Sequence, residues 1–251
     1  MTSRFPTLAT AALVGCLSLG VAAPAMAQDT GPAVDDEAAA AEERSRSEAA
    51  RRCHDAIDRR LDDLAIAQAR VNQVDALTVP HELAIDGIID RTQVGLTSLE
   101  NQIEAAGDPA EAVRLCATIA PDYRVYLVVL PQTHLTVGAD RSQAGVSKGT
   151  GVIDALDEAL ARAAEVGADT TEAQALRDQA LIHLDAANAA NDGIAESVLA
   201  VTPSSFNDGD GKAVLDAGRA DLRTTHAELK AASEDATAAA SALRDALGDL
   251  A

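Results

Sequence analysis

The sequence has no tryptophan, two phenylalanines and two tyrosines among 251 residues. With so few aromatics, a core must be built from Ala, Leu, Val and Ile, at roughly 25 cal/mol per Å² of apolar surface removed from water. That excludes thick multilayer cores and favours thin ones, in which alanine lets helices approach closely. Cysteine is scarce too: Cys16, Cys53 and Cys116 form no CxxC pair, which removes the usual zinc and dithiol redox motifs. No GxSxG, phosphate-binding loop or dinucleotide fingerprint occurs. The five histidines, His54, His81, His134, His183 and His226, make no HxxxH or HExxH pair, so surface or capping roles are expected of them. Asp208-Gly209-Asp210-Gly211-Lys212 resembles part of a calcium loop. Phe206 and Ala217 stand where its first and last carboxylates belong, so it reads as a polar turn. No catalytic residue, metal or cofactor is therefore assigned, and the chain reads as non-enzymatic.

Beyond the N-terminal leader no segment approaches the ~18 apolar residues of a membrane helix, and the Val125–Leu130 run is far too short, so no membrane span is expected. Charge is one-sided. Forty acids against twenty Lys and Arg give a formal net charge of −20, a field that repels nucleic acid and anionic lipid. No nucleic-acid partner is expected, and the acid serves solubility.

What is present begins with an export signature. Arg4, an apolar stretch over Leu8–Ala23 and the small-residue site Ala25-Met26-Ala27 read as a signal peptide over residues 1–27, cleaved before Gln28. Leu13-Val14-Gly15-Cys16 also resembles a lipobox, but another apolar run follows Cys16, so lipidation is the lesser reading. Residues 28–42 form an acidic leader without large apolar groups, expected to be mobile. The chain is thus expected outside the cytoplasm, secreted or associated with the envelope.

From about Glu43 helical spacing sets in, with Ile57, Leu61, Leu64, Val71, Val74 and Leu77 on one face. Thr78 with Pro80 opens a second helix, carrying Ile85, Leu96, Leu99 and Ile103, and Gly107-Asp108-Pro109 opens a third. At 1.5 Å per residue the first two helices fold back over matching lengths, which brings Cys116 level with Cys53. In an exported protein these two are expected to form a disulfide.

The stretch from Cys116 to Asp140 holds both tyrosines and the densest aliphatic run outside the leader. Tyr123–Leu130 has β-branched and aromatic character but no alternation and no partner strand. It reads as a buried helix kinked or broken at Pro131, with an extended segment as the alternative. Leu135–Ala144 follows as helix and Gly145–Gly151 as a loop. One helix is marked by Ile153, Leu156 and Leu160; a second, after Asp169-Thr170-Thr171, by Leu176, Ala180, Leu184, Ala187, Asn191, Ile194 and Val198. Thr202–Lys212 reads as a loop, and the last helix, from about Ala213, presents a seam of mostly small residues.

The expected fold is all-α: elongated antiparallel hairpins with coiled-coil-like packing and a kinked central segment. Residues 43–140 make an N-terminal hairpin plus the central segment, and residues 141–251 a C-terminal hairpin. A cysteine in helix one, Leu77-Thr78 with His81, Cys116 ahead of Asp122-Tyr123-Arg124-Val125-Tyr126 and Pro131, and the block of Ala213, Val214, Leu215, Arg219, Asp221, Leu222 and Leu229 together resemble a family of exported actinobacterial helical proteins of unassigned function. The resemblance spans most of the chain after the leader, with Gly218 and the glycine-rich segment before Lys212 as departures. It implies a long-helix architecture outside the cytoplasm and transfers no catalytic residue.

Two functions fit these readings. One is a structural spacer or interaction surface, meeting a protein partner or its own copies through helix faces. The other is a carrier of an apolar small molecule or lipid, with Tyr123, Tyr126, Val128 and Leu135 as the candidate apolar contacts.

Overall fold

The punctuation at Thr78-Val79-Pro80 and Gly107-Asp108-Pro109 is where the chain first reverses. The computed structural model describes residues 33–249, and among the described residues it contains helices and no strand. Three helices come first: α1 (Ala33–Val71), α2 (Val79–Ala105) and α3 (Pro109–Tyr123). A turn of π-helix, Val125–Val129, leads into α4 (Leu130–Glu165). Then follow α5 (Thr171–Asn191), α6 (Ile194–Leu199), α7 (Pro203–Asn207) and α8 (Asp210–Gly248). The all-α class expected from the spacing is the one found.

Helix α1 starts at Ala33 rather than near Glu43, because its Ala- and Glu-rich start has high intrinsic helix propensity. It ends at Val71, short of the expected Leu77; Val74 and Leu77 continue in tight turns bonded three residues back. The signal segment at residues 1–27, with Cys16, and leader residues 28–32 lie outside the described residues. Arg44–Ala251 pack as one unit, and the expected boundary between residues 140 and 141 falls inside α4.

Helices α1 and α2 run antiparallel, bridged by His54–Glu100 at one level and Gln68–Asp86 at another. Their shared core holds Ile57, Leu64, Ile85, Ile89 and Leu96, each at most 1% exposed, and Ile119 of α3 closes it. Cys53 and Cys116 are disulfide-bonded as expected, with Cα atoms 5.7 Å apart, tying α3 to α1.

The central stretch is helical, not extended, but its break is not at Pro131. Arg124 takes a left-handed conformation (φ 43°) and ends α3, and the π-turn follows at once. Pro131 lies in the first turn of α4. Proline's missing N–H and its ring would spoil the α-helical bond to residue 127; the wider π-turn, in which Leu130 N–H donates to Val125 O, accommodates both. Asn207 stabilises the break from 83 residues away, accepting from Arg124 Nε at 2.7 Å and donating to Pro121 O at 3.0 Å.

Gly145–Gly151 is not a loop. Helix α4 runs through it unbroken, and the glycines are contact points. A Cβ on Gly149 would lie 2.5 Å from Leu184 Cδ2, and one on Gly138 2.6 Å from Leu222 Cδ2. Gly145 receives Leu229 in the same way. Gly138 and Gly145 meet Leu222 and Leu229 in step, so α4 and α8 run parallel. Asn191 donating to Ala139 O and Leu184 meeting Gly149 set α5 antiparallel to both. The expected C-terminal hairpin of two helices is thus a bundle of three, with α5 and α8 its closest pair.

Two further segments differ from expectation. The run from Thr171 to Val198 is broken by Gly193 (φ 70°) into α5 and α6. Within Thr202–Lys212, α7 forms on a reciprocal Thr202–Ser205 cap, and α8 begins at Asp210, behind Gly209 at φ 101°. Buried Gln132 fastens α6 to α4, its Nε2 donating to Val198 O and Val201 O at 2.7 Å each.

Candidate functional site

Where small side chains let helices approach, they also leave the outer surface shallow, and the seam of α8 does both. Ala180, Ala187 and Ala239 are fully buried between α5 and α8. On the outer side of α8, Ala232, Ser233, Ala236, Thr237, Ala240 and Ser241 face α4 across a groove of about 680 Å³. Gly145, Gly149 and Val152 form its α4 wall, and Ile153 and Leu184 line it deeper in. Lys148 and Arg244 complete the lining, which contains no carboxylate. Among the described residues neither cation lies within 4.0 Å of an acidic group. Against a chain charge of −20, that is a local reversal of sign.

The four candidate contacts from the central stretch do not converge on one cavity. Tyr123 and Val128 share a smaller hollow of about 300 Å³ with Ile88, Gln132 and Val201. Tyr123 donates its hydroxyl to Gly95 O at 2.8 Å, against a glycine where a Cβ would lie 2.5 Å from the ring. Burial, and secondarily the charge of Asp122, raise its pKa. Leu135 is buried with Val128, Val198 and Leu215 in the core beneath α6. Tyr126 is exposed, with the Arg60 guanidinium 5.1 Å from its ring centroid. Its phenol pKa is raised too, by partial desolvation first and then by the nearby Asp63 carboxylate.

Three histidines tie helices together through carboxylates. His54 meets Glu100 at 3.0 Å between α1 and α2, and His183 meets Glu228 at 2.6 Å between α5 and α8. His81 meets Asp140 at 2.8 Å between α2 and α4. The other oxygen of Asp140 accepts the Thr78 backbone N–H at 2.7 Å, so the start of α2 is held by α4 and not by the Thr78 side chain. These partners stand 45 to 59 residues apart, and no short motif could have announced them. Among the described residues no three His, Cys, Asp or Glu side chains are placed to hold a metal.

A third hollow, of about 280 Å³ between the end of α1 and α4, carries Arg70, His134 and Arg141. Arg70 sits in the last turn of α1, where the helix dipole already favours a cation. No described helix is long and apolar enough to cross a membrane. Compared with protein-family models, with characterised proteins and with solved structures, the chain finds no match.

Proposed function

We propose that this chain is a non-enzymatic extracytoplasmic protein that acts through its helix faces, as a spacer and interaction surface at or outside the cell envelope. The observation that carries this reading is the outer face of α2. Val79, Leu83 and Val94 are 66%, 66% and 70% exposed. Their separations of four and eleven residues are close to whole helical turns, so they lie on one face, with Gly87 and the exposed Asp90 between Leu83 and Val94. Such a face, apolar with a central carboxylate, suits a helix from a partner or a second copy. The Cys53–Cys116 disulfide supports placement in an oxidising compartment, in keeping with the export signature and with the resemblance to exported helical proteins. The test is cross-linking in the native envelope of the wild-type chain and of Leu83→Glu/Val94→Glu. Loss of the cross-linked species at unchanged Tm supports the reading, and unchanged cross-linking overturns it.

The second reading, a carrier, is favoured by the α4–α8 groove. Its volume falls within the roughly 300–1,000 Å³ of small-molecule sites, and its lining is apolar with a few polar groups.

A further inference from the structure

The groove is distinctive less for its size than for its charge. The chain carries forty acids to twenty bases, yet the groove contains two bases and no acid. An acidic surface repels anions over most of its area, so a cationic apolar strip is where an anion with a hydrocarbon tail gains most. The register of the helices gives the groove its length. Gly145 faces Leu229, which sets Lys148 level with about Ala232; Arg244 stands twelve residues further along α8, about 18 Å at 1.5 Å per residue. Between the two cations the strip is formed by Ala236 and Ala240 with the small hydroxyl side chains of Ser233, Thr237 and Ser241. A volume of about 680 Å³ spread over about 18 Å leaves a mean cross-section of only roughly 40 Å², and the exposed Val152, Ser233, Thr237 and Ser241 leave it open to solvent along its side. A single chain fits that form better than a fused ring system, which needs width, or a partner helix, which would sink only one face into it.

We infer that the groove between α4 and α8 binds a single-chain amphiphile with an anionic head, its tail lying along the alanine strip and its head held by Lys148 or Arg244. This rests on the carrier reading and supplies its ligand class. Both cations are exposed and, among the described residues, without acidic partners, so a carboxylate or phosphate head meets them with little desolvation and gains charge-assisted hydrogen bonds. Glycine at 145 and 149 makes room for Leu229 and Leu184, which themselves line the groove, and any larger residue at 149 would meet Leu184 first.

The absence of tryptophan makes the test direct. Val152, half exposed on the rim, is replaced in Val152→Trp as the reporter, and exposed Ile182 on α5, which is not part of the lining, in Ile182→Trp as the control. Palmitate is titrated against both, alongside the neutral alcohol of the same chain length and an acidic amphipathic helical peptide. The expected result is a saturable change with palmitate at position 152 and none at 182. Adding Lys148→Glu and Arg244→Glu to the reporter should weaken palmitate about ten-fold, the size of a lost charge-assisted hydrogen bond. The alcohol should bind more weakly than palmitate and be indifferent to those changes. Thr237→Phe, at an exposed position in the lining, should block the groove and abolish the signal. No saturable response to palmitate overturns the proposal. So does equal binding of alcohol and acid, or a response to the peptide alone. Saturable alcohol binding that Thr237→Phe abolishes and charge reversal leaves alone would keep the carrier reading while removing its anionic ligand. No response to any ligand would remove both.

Discussion

The α1–α3 layer and the α4–α5–α8 bundle hold helices together by opposite means. In the first, large side chains fill the space between α1 and α2, with Ile57, Leu64, Ile89 and Leu96 fully buried, and a disulfide fixes α3 to α1. Burying one such residue contributes about 1.5–3 kcal/mol. In the second, the seam is mostly alanine, glycine and threonine, with Ile153, Leu156, Leu160, Leu184 and Leu243 buried among them, and there is no covalent tie among the described residues. Each alanine buries little, so that bundle relies on close backbone approach and on leucines seated over glycines, where dispersion contacts are dense. The first arrangement is sensitive to losing volume and the second to gaining it. The second also leaves a shallow outer surface, which is why the groove lies there.

The largest expected effect comes from the staple. Replacing both Cys53 and Cys116 by Ser should destabilise the protein by roughly 4 kcal/mol, the chain-entropy value for a closed loop of this size. Amide exchange should show the loss in α1–α3, with α5 and α8 still protected. Equal loss of protection in both regions would mean that they form one cooperative unit and that the contrast is only compositional.

A reciprocal pair of substitutions tests packing directly. Leu64→Ala should cost about 3 kcal/mol, transfer and cavity together. Ala180→Leu, at a fully buried position in the other region, should cost about 2 kcal/mol by overpacking. Urea unfolding measures both. A neutral Ala180→Leu would show a loose seam and undo the account of α5–α8.

Much of this contrast was legible in advance. The helical spacing of α1 and α2 and the cap at Asp108 follow from local residues, and the pairing of Cys53 with Cys116 follows from the matching lengths of the first two helices. The exposed apolar residues on α2 could have been found too, since Val79, Leu83 and Val94 lie off the Ile85–Leu96 face. The misreadings share a cause: they depend on distant partners. Glycine lowers helix propensity, so Gly145–Gly151 looks like a loop until Leu184 and Leu229 are known to need those positions. Arginine is a poor left-handed residue, so nothing local marks Arg124 as the break that Asn207 supports. The groove was half visible, as small residues along α8; its second wall required knowing that α4 is continuous.

Two glycines two residues apart on α4 make a finer test. Gly149 is filled by Leu184, whereas a Cβ at Gly151 would meet nothing within 4 Å. Gly151→Ala should therefore stabilise the protein by about 1 kcal/mol, the propensity difference, while Gly149→Ala should destabilise it. If both move the urea midpoint upward, Leu184 yields easily and the leucine–glycine contacts contribute little.

The smallest effect uses the placement of the only two tyrosines. Both lie in the central stretch, so phenol ionisation observes that side of the molecule and is blind to α5 and α8. Burial raises the Tyr123 pKa above its ordinary value near 10, and the hydroxyl must keep its proton to donate to Gly95 O. A folded-state pKa above the unfolded one means that unfolding releases a proton in the interval between them. The contribution of Tyr123 is therefore complete below pH 10 and is lost as pH rises through the folded value. Phenolate absorbance should rise at higher pH in the folded protein than in urea. Tyr123→Phe should leave one transition, still raised at Tyr126 by partial desolvation and Asp63. Amide exchange above pH 10 should then loosen around Gly95 and Tyr123 before α5 and α8 respond. Simultaneous loosening of both regions would show that the central stretch transmits the strain of ionisation across α4, and the two packing regimes would no longer be independent.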